Sequence, residues 1–291
     1  MIFQTLASGS NGNASVYASE KWGVLFDAGI SRKNIIDGLK DIQVKKDHIK
    51  YVCITHAHWD HIRGLPVLMD HLKSAKVVAS WETLEEIAKK KKQDPRYSRI
   101  VDKAIGLEYD DEVTFKDGLT ITTLPTLHDI AGASGFSVQD QTNNFRISYA
   151  TDTADLSSDF QDLMAQSNLV FLESNHDTKM LEKSRRPYSL KTRIKKTHLS
   201  NTKFMDLLGN IHTENTSAIF VGHLSGECNS EQIVYDQMKG YSDENPLNWA
   251  ICSRYRKSAK LLLTGDTPVL EGGLTNIHDD RTENELMQYF S

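Results

Sequence analysis

A dense group of imidazole and carboxylate side chains follows a short apolar run near the start of the chain. The apolar run 51–54 (YVCI) is typical of a buried strand that ends in a loop, and residues 55–61 continue it as THAHWDH. Three imidazoles and one carboxylate within six residues favour a binding site for zinc, manganese or iron. Any fold of this chain therefore has to hold this loop where further ligands can reach it.

The spacing of these four groups indicates two metal ions rather than one. His56 and His58 can hold one ion, while Asp60 and His61 reach a second. Side chains that point in so many directions do not suit a single ion. Two ions about 3.5–4 Å apart, with a water between them, form the centre of many hydrolases. The sequence therefore predicts a dinuclear hydrolytic centre around this loop.

The composition indicates a globular chain without a disulfide framework. With 291 residues, 39% of them hydrophobic, the chain can bury a core in one large domain or two small ones. Its apolar runs are far too short to cross a bilayer, and the N-terminus lacks the features of a secretion signal. Cys53, Cys228 and Cys252 are odd in number and widely separated. This pattern favours a cytoplasmic location.

The distribution of charge indicates an anionic partner, although the net charge is −5. Residues 179–203, named the basic segment below, contain nine basic residues and a single acidic one. A basic patch on an acidic body concentrates a polyanion at one place. Arg193, Lys195 and Lys196 lie directly before His198, so we expect them to bind substrate phosphate. The alternative is a solvated charged face.

Two other features are candidates for contact with phosphate. Residues 8–13 form a loop of small polar residues whose backbone N–H groups could cradle phosphate oxygens, although tight hairpins use the same residues. Its candidate contacts are Ser8, Ser10, Asn11 and Asn13. His176 follows another apolar strand and is expected either to contact phosphate or a metal ligand, or to have a purely structural role.

Several motifs resemble the metallo-β-lactamase-fold superfamily, whose signature H-x-H-x-D-H matches residues 56–61. Further motifs resemble the bacterial YycJ/WalJ branch of exonuclease-like phosphoesterases, in order along residues 2–256. They are LASGSNGN (6–13), LFDAG (25–29), LESNHD (172–177), HLSN (198–201) and GHLS (222–225). The resemblance implies a mixed α/β (α+β) fold, a four-layer αββα sandwich. The interval from Asp152 to His198 is too short for a β-CASP insert.

The resemblance also supplies the remaining ligands. His128, Asp152 and His223 each follow an apolar strand and match the family's later ligands, with Asp152 as the bridging carboxylate. One ion would then be held by His56, His58, His128 and Asp152, and the other by Asp60, His61, Asp152 and His223. Zinc, manganese and iron all suit such a set.

His198 resembles the histidine that phosphodiesterase members aim at the scissile phosphate. As an imidazolium it could stabilise developing charge or protonate the leaving oxygen; otherwise it is a helix-capping or surface histidine. Thr197 stands where this branch commonly carries glycine, so the local backbone is expected to differ. Asp60 is expected to ligate a metal and to orient the attacking hydroxide, so both residues are predicted to be catalytic.

The resemblance implies a dinuclear-metal phosphodiesterase that hydrolyses nucleic acid, DNA rather than RNA, as an exonuclease. A small-molecule or cyclic phosphodiesterase would explain His198 but needs fewer basic residues. A glyoxalase-type thioester hydrolase shares the ligand set but explains neither His198 nor the basic segment. A non-catalytic metal-binding regulatory protein would keep its ligands without turnover.

The chain has no repeat or linker that divides it in the middle. Two strand-rich halves with interleaved helices predict two sheets packed face to face and covered by helices. Residues 1–257 are expected to form the catalytic domain, and residues 258–291 an extension of unknown role. Residues 82–92 are predicted as a helix with a solvated lysine-rich end, and residues 191–203 are expected to contain at least one helix.

Overall fold

Two mixed β-sheets of eight strands each lie at the centre of the computed structural model, which describes residues 1–254, 257–263 and 268–275. The first sheet contains β1 (Ile2–Ala7), β2 (Ala14–Ala18), β3 (Gly23–Phe26), β4 (Ile49–Cys53), β5 (Lys76–Ser80), β6 (Ile105–Leu107), β14 (Lys260–Leu263) and β15 (Pro268–Glu271), in the order β15-β14-β1-β2-β3-β4-β5-β6. The second contains β7 (Glu112–Thr114), β8 (Leu119–Pro125), β9 (Ser134–Asp140), β10 (Phe145–Ala150), β11 (Leu169–Glu173), β12 (Ala218–Gly222), β13 (Trp249–Ile251) and β16 (Leu274–Thr275), in the order β16-β13-β12-β11-β10-β9-β8-β7.

Helices cover the outer faces of both sheets. They are α1 (Arg32–Asp41), α2 (Trp59–Ile62), α3 (Leu65–His71), α4 (Trp81–Lys89), α5 (Arg96–Val101), α6 (Ser158–Ala165), α7 (Thr178–Lys183), α8 (Tyr188–Thr197), α9 (Asn201–Ile211) and α10 (Glu231–Glu244). Serine caps several of them, because its hydroxyl accepts an otherwise unpaired N–H of the first turn. These caps are Ser31, Ser80, Ser157, Ser200 and Ser230. Among the described residues, no helix has the length and apolar character needed to cross a membrane.

Three hydrophobic clusters separate the four layers. Strand β11 illustrates why, because successive side chains of a strand point to opposite faces. Phe171 packs in the cluster between the sheets, whereas Val170 packs in the cluster under the outer helices. Stacked rings join the two sheets, with Tyr149 centred 4.6 Å from Phe26 and 4.2 Å from Phe171. The predicted αββα sandwich is therefore confirmed.

Two helical regions differ in detail from the sequence prediction. The helix expected over 82–92 ends at Lys89 and continues as a 3-10 turn at Lys90–Lys92. The region 191–203 belongs to two helices, α8 and α9, which are separated at His198 because that residue has an extended backbone, with φ −143° and ψ 143°. The break is important for the site, since it ends a helix at a candidate catalytic residue.

The described part of the expected C-terminal extension takes part in both sheets. Strand β14 pairs with β1, with Ile2 opposite Leu262, and β16 pairs with β13, with Ala250 opposite Thr275. β14 therefore covers the edge that β1 would otherwise expose. The boundary expected after residue 257 does not mark the edge of the sandwich. Residues 264–267 and 276–291 of that extension lie outside the described residues.

Candidate metal centre

The seven predicted ligands converge at one end of the sandwich, where strands of both sheets finish. Residues 56–61 follow β4 in the first sheet. His128, Asp152 and His223 follow β8, β10 and β12 in the second. Loops that follow strands do not take part in the hydrogen bonds between strands, so their side chains can turn toward a shared site. The sheets meanwhile fix the points from which these loops start.

Three residues at this end have a left-handed backbone. Asp27, Asp152 and His223 have φ of 60°, 53° and 54°. Residues other than glycine adopt this conformation rarely, although Asp and His do so more than most, and it costs about 1–3 kcal/mol each. Each residue stands one or two positions beyond the end of a strand. Hydrogen bonds of these residues, such as that from Thr55 N to Asp27 Oδ1 and that from His223 N to Ser8 Oγ, offset part of this cost.

Three histidine nitrogens meet at the first part of the centre. His58 Nδ1 lies 3.1 Å from His56 Nε2 and 3.2 Å from His128 Nε2. Burial lowers the pKa of all three side chains, so the neutral rings are favoured at neutral pH. A neutral imidazole has one acceptor nitrogen, and a cation among the three facing nitrogens would be bound by their lone pairs. These three residues therefore fit a metal ion.

A second group contains two histidines and two carboxylates. His61 Nε2 lies 3.3 Å from Asp152 Oδ2 and 3.5 Å from Asp60 Oδ2, and His223 Nε2 lies 3.5 Å from Asp152 Oδ2. His223 Nε2 is buried and has no hydrogen-bond partner among the described residues. Such an atom costs about 1–3 kcal/mol if left unsatisfied, and a metal ion would satisfy it.

Asp152 lies between the two groups. Its Oδ2 faces His61 and His223, while its Oδ1 lies 3.9 Å from His128 Nε2. Burial alone would raise the pKa of Asp152, but the neighbouring charges of His223 and His61 hold it well below its ordinary value. The carboxylate is thus ionised, with one oxygen directed to each group. This geometry suits a bridging ligand.

In four of the five candidate histidine ligands, the ring nitrogen opposite the site also has a partner. Each forms a hydrogen bond that fixes the ring orientation and leaves the other nitrogen for a metal. The pairs are His56 Nδ1 with Thr55 Oγ1 at 3.1 Å, His61 Nδ1 with Asp27 Oδ2 at 2.8 Å, His128 Nδ1 with the Thr197 carbonyl at 3.0 Å, and His223 Nδ1 with Glu173 Oε2 at 3.1 Å.

Asp27 and Glu173 are two residues of this site that the sequence analysis missed. Both side chains are fully buried. Asp27 also accepts hydrogen bonds from the amide and the hydroxyl of Thr55, which ties the start of the 56–61 loop to the end of β3. The available signal was an acidic residue at the end of an apolar strand, in the motifs LFDAG and LESNHD.

His198 lies at the edge of the centre. Its Nδ1 is 3.1 Å from Glu173 Oε2 and 3.7 Å from Asp152 Oδ1. Burial alone would lower the pKa of His198, but the charge and hydrogen bond of Glu173 raise it to about 9. Its side chain remains 13% exposed. Glu173 Oε2 therefore links His198 to the candidate ligand His223.

Within the 8–13 loop, two of the four candidate phosphate contacts are turned inward. Ser8 Oγ accepts a hydrogen bond from the His223 amide at 2.7 Å. Asn13 Oδ1 accepts one from Gly9 N at 2.8 Å, and its Nδ2 lies 3.0 Å from His61 Nε2. Ser8 and Asn13 are buried and support the ligands. Ser10 and Asn11 are exposed, but Ser10 Oγ accepts a hydrogen bond from Arg254 Nη2 at 2.7 Å and the Asn11 carbonyl accepts one from Arg63 Nη2 at 2.8 Å.

A close backbone contact fixes the ligand loop against the end of β3. Gly29 N donates to the Asn13 carbonyl, and Asn13 N donates to the Asp60 carbonyl. A Cβ at Gly29 would lie 1.6 Å from that Asp60 oxygen, so only glycine fits. The glycine of LFDAG therefore belongs to the support of Asp60.

Ion pairs neutralise part of the basic segment. Arg193 pairs with Asp129, with Nη2 3.1 Å from Oδ1, and Lys195 pairs with Glu182 at 3.2 Å. Lys196 is exposed and forms no ion pair within the described part of the chain. Exposed pairs contribute only about 0–1 kcal/mol, so a polyanion can compete for them. Of the three candidate cations, Lys196 is therefore the one that would not have to give up a carboxylate partner to bind phosphate.

His176 is buried and does not join the ligand clusters. Its backbone is bridged to Ser200, and its carbonyl accepts the Asn201 amide. Burial lowers the pKa of His176 to about 4, so the ring is neutral. Its Nδ1 is buried and has no hydrogen-bond partner among the described residues, so both expected roles of His176 stay predictions.

The fold and the clustered ligands define the class of protein. The beta-lactamase superfamily domain matches residues 23–220, and the chain belongs to that superfamily. With the His and Asp groups that could hold metal, it is a metal-dependent hydrolase, as the sequence predicted.

Two individual relatives confirm the expected similarity to the YycJ/WalJ branch. The chain is 28% identical over 236 residues to exodeoxyribonuclease YycJ of Bacillus anthracis, covering 80% of this chain and 85% of that protein. It is 29% identical over 243 residues to exodeoxyribonuclease WalJ of Streptococcus pneumoniae serotype 2, covering 81% and 86%. The crystal structure of Zn(2+)-bound PqqB from Methylobacterium extorquens is similar with a TM-score of 0.61 and 14% identity, covering 90% of this chain and 100% of that one. That likeness concerns the fold alone.

Proposed function

We propose that this protein is a phosphodiesterase that uses two divalent transition-metal ions to hydrolyse DNA from an end. The observation that carries the proposal is Asp152, which directs one oxygen to each histidine group while His198 lies beside it. Two relatives of the chain are exodeoxyribonucleases, which supports DNA as the substrate.

The donor atoms form two sets that have Asp152 in common, and each set would hold one ion. Histidine and carboxylate donors suit zinc, manganese or iron. When bound, such ions polarise a phosphoryl oxygen and supply an activated nucleophile at neutral pH. One ion would be held by His56, His58, His128 and Asp152, and the other by Asp60, His61, Asp152 and His223.

His198 and Asp60 act on the substrate in this proposal. His198 has its Nδ1 hydrogen-bonded to Glu173, so Nε2 is the nitrogen that donates a proton to the leaving oxygen. Glu173 is a positioning residue that holds this ring. Asp60 carries a partly exposed carboxylate, which accepts a hydrogen bond from the attacking water and orients it toward phosphorus.

The basic segment would bind the phosphate backbone away from the scissile bond. Lys196 has no ion-pair partner among the described residues, and Arg193 and Lys195 can exchange their exposed carboxylate partners for phosphate. The buried free cysteines Cys53, Cys228 and Cys252 support the cytoplasmic location that the sequence predicts.

A panel of substrates tests the proposal. Metal-loaded protein is incubated with end-labelled single- and double-stranded DNA, RNA, a bis-aryl phosphodiester and a thioester. We expect DNA to shorten progressively from one end, with no thioester hydrolysis. Asp152→Ala should abolish this activity, whereas His212→Ala, which removes a histidine that contacts Tyr241 on the helical layer, should leave it intact.

The other outcomes identify the alternatives. Hydrolysis of the bis-aryl diester with intact DNA would indicate a small-molecule phosphodiesterase. Hydrolysis of the thioester alone would indicate a glyoxalase-type enzyme. Bound metal without any hydrolysis would indicate a regulatory metal-binding protein.

A further inference from the structure

Trp59 is a large aromatic side chain on the rim of the metal centre. It stands between the candidate ligands His58 and Asp60 at the first position of α2. Both neighbours are partly exposed, and Trp59 is itself 43% exposed. Its place in the chain between two candidate ligands makes its exposed surface a candidate for contact with substrate.

The Trp59 ring has support from the protein on the side of α5. Tyr97 is buried and packs against Trp59 in an edge contact, with centroids 6.2 Å apart and an interplanar angle of 68°. The Tyr97 hydroxyl donates to the Ile62 carbonyl at 3.0 Å, so the same residue also holds the end of α2. The ring is thus fixed before any ligand binds, which lowers the entropic cost of binding.

A lysine side chain lies over the Trp59 ring. Lys90 Nζ lies 5.2 Å from the centroid of the Trp59 ring. Lys90, Lys91 and Lys92 form the 3-10 turn after α4, and within the part of the chain that the structure describes they make no ion pair with a carboxylate. Within the lysine-rich end that was expected to be a solvated face, Lys91 and Lys92 are exposed, whereas Lys90 lies over the Trp59 ring.

We propose that Trp59 and Lys90 form a stacking subsite for an unpaired nucleobase of a single strand that enters the metal centre. An indole presents a flat apolar face of the size of a base, and base–aromatic stacking tolerates any sequence because every base has a π-face. The ammonium group of Lys90 would leave the ring for the adjacent phosphate. This inference rests on the proposed function and adds that the strand is bound unpaired at its reacting end.

A substrate without bases isolates this interaction. The probes are a phosphorothioate-linked dT12 oligonucleotide with an internal fluorophore, and the same oligonucleotide with abasic residues at the two terminal positions of each end. Their affinities are measured by fluorescence anisotropy with the full, metal-loaded chain. The variants are Trp59→Leu, Trp59→Phe and the control Trp81→Leu, which removes a tryptophan that is 51% exposed and covers Gly106 of the edge strand β6.

The inference predicts a specific pattern of affinities. Trp59→Leu should bind dT12 about 5- to 150-fold more weakly, the range of one lost base stack, and should bind the abasic probe like the wild type. Trp59→Phe should retain most of the affinity, and Trp81→Leu all of it. The wild type should prefer dT12 to the abasic probe. Lys90→Gln should flatten the salt dependence by about one unit of slope.

Three results would overturn the subsite. One is equal binding of the two probes by the wild type, which needs no variant at all. Another is unchanged dT12 affinity in Trp59→Leu with its metal content intact by elemental analysis. The third is an equal loss on both probes in that variant. Each would leave the proposed function standing if the wild type still shortens end-labelled DNA, whereas a wild type that neither binds nor cuts DNA refutes both.

Discussion

Replacing Glu173 with glutamine tests whether one buried carboxylate organises the metal centre. Glu173 Oε2 accepts the Nδ1–H groups of His198 and His223, each at 3.1 Å. Its Oε1 accepts the amides of Thr153 at 2.5 Å and Leu199 at 3.3 Å. Glutamine keeps the shape but offers a single oxygen, and its NH2 group would face two donors in either orientation.

The expected loss of stability in Glu173→Gln follows from the hydrogen-bond donors that lose their acceptor. Each buried donor left unsatisfied costs about 1–3 kcal/mol, and two of the four lose their acceptor in Glu173→Gln. Because His198 is partly exposed and can turn to water, we expect the free energy of unfolding to fall by about 2–4 kcal/mol. The rate of DNA hydrolysis should fall at least about 10²-fold, because the acid loses its orientation.

Two measurements and one control separate these effects. Urea unfolding in the presence of a chelator gives the stability without metal, and kcat on the bis-aryl diester gives the chemical step. Glu182→Gln, which removes a largely exposed carboxylate, should change the stability by less than about 0.5 kcal/mol. If Glu173→Gln were as stable and as active as the wild type, the shared carboxylate would have no organising role.

Three further substitutions test the roles of individual residues. His198→Ala should keep its metal content by elemental analysis and lose about 10²–10⁴-fold in rate, the usual scale for a positioned acid; loss of metal would instead make His198 a ligand. Lys196→Gln should weaken DNA binding and lower the salt slope by about one unit, measured by anisotropy at several salt concentrations. Arg193→Gln should have a smaller effect because its charge is already paired with Asp129, and an effect of Arg193→Gln larger than that of Lys196→Gln would contradict this ranking.

The ligand loop was predictable from sequence because its density of imidazoles is rarely accidental. His56, His58, Asp60 and His61 are adjacent in the chain, so their proximity needs no knowledge of the fold. His128, Asp152 and His223 required the resemblance, since each alone is an ordinary polar residue after a strand. The structure brings all seven to one end of the sandwich.

The supporting residues were not predictable in the same way. Glu173 is one acidic residue at a strand end, and nothing in the sequence shows that two histidines 25 and 50 positions away share its oxygen. The carboxylate partner of Arg193 is 64 positions away. Counting the basic residues of the segment therefore overestimated how many of them lack a carboxylate partner. Pairing of this kind depends on the tertiary fold, which a local pattern does not contain.

The C-terminal strands were missed for a different reason. β14 and β15 have only four residues each, too few to give a clear alternation of polar and apolar side chains. β14 is defined by pairing with Ile2–Ala7 at the other end of the chain. A short strand whose partner is the N-terminus leaves no local signal.

Metal titration of the rate of DNA hydrolysis tests the central claim most directly. Metal-free protein is titrated with Mn²⁺ or Zn²⁺, and the release of nucleotides from end-labelled DNA is followed at each addition. The rate should rise to a plateau near two ions per chain, because Asp152 joins two groups of ligands, and Asp152→Ala should stay inactive throughout. A plateau at one ion per chain, or full activity of Asp152→Ala, would contradict the dinuclear centre.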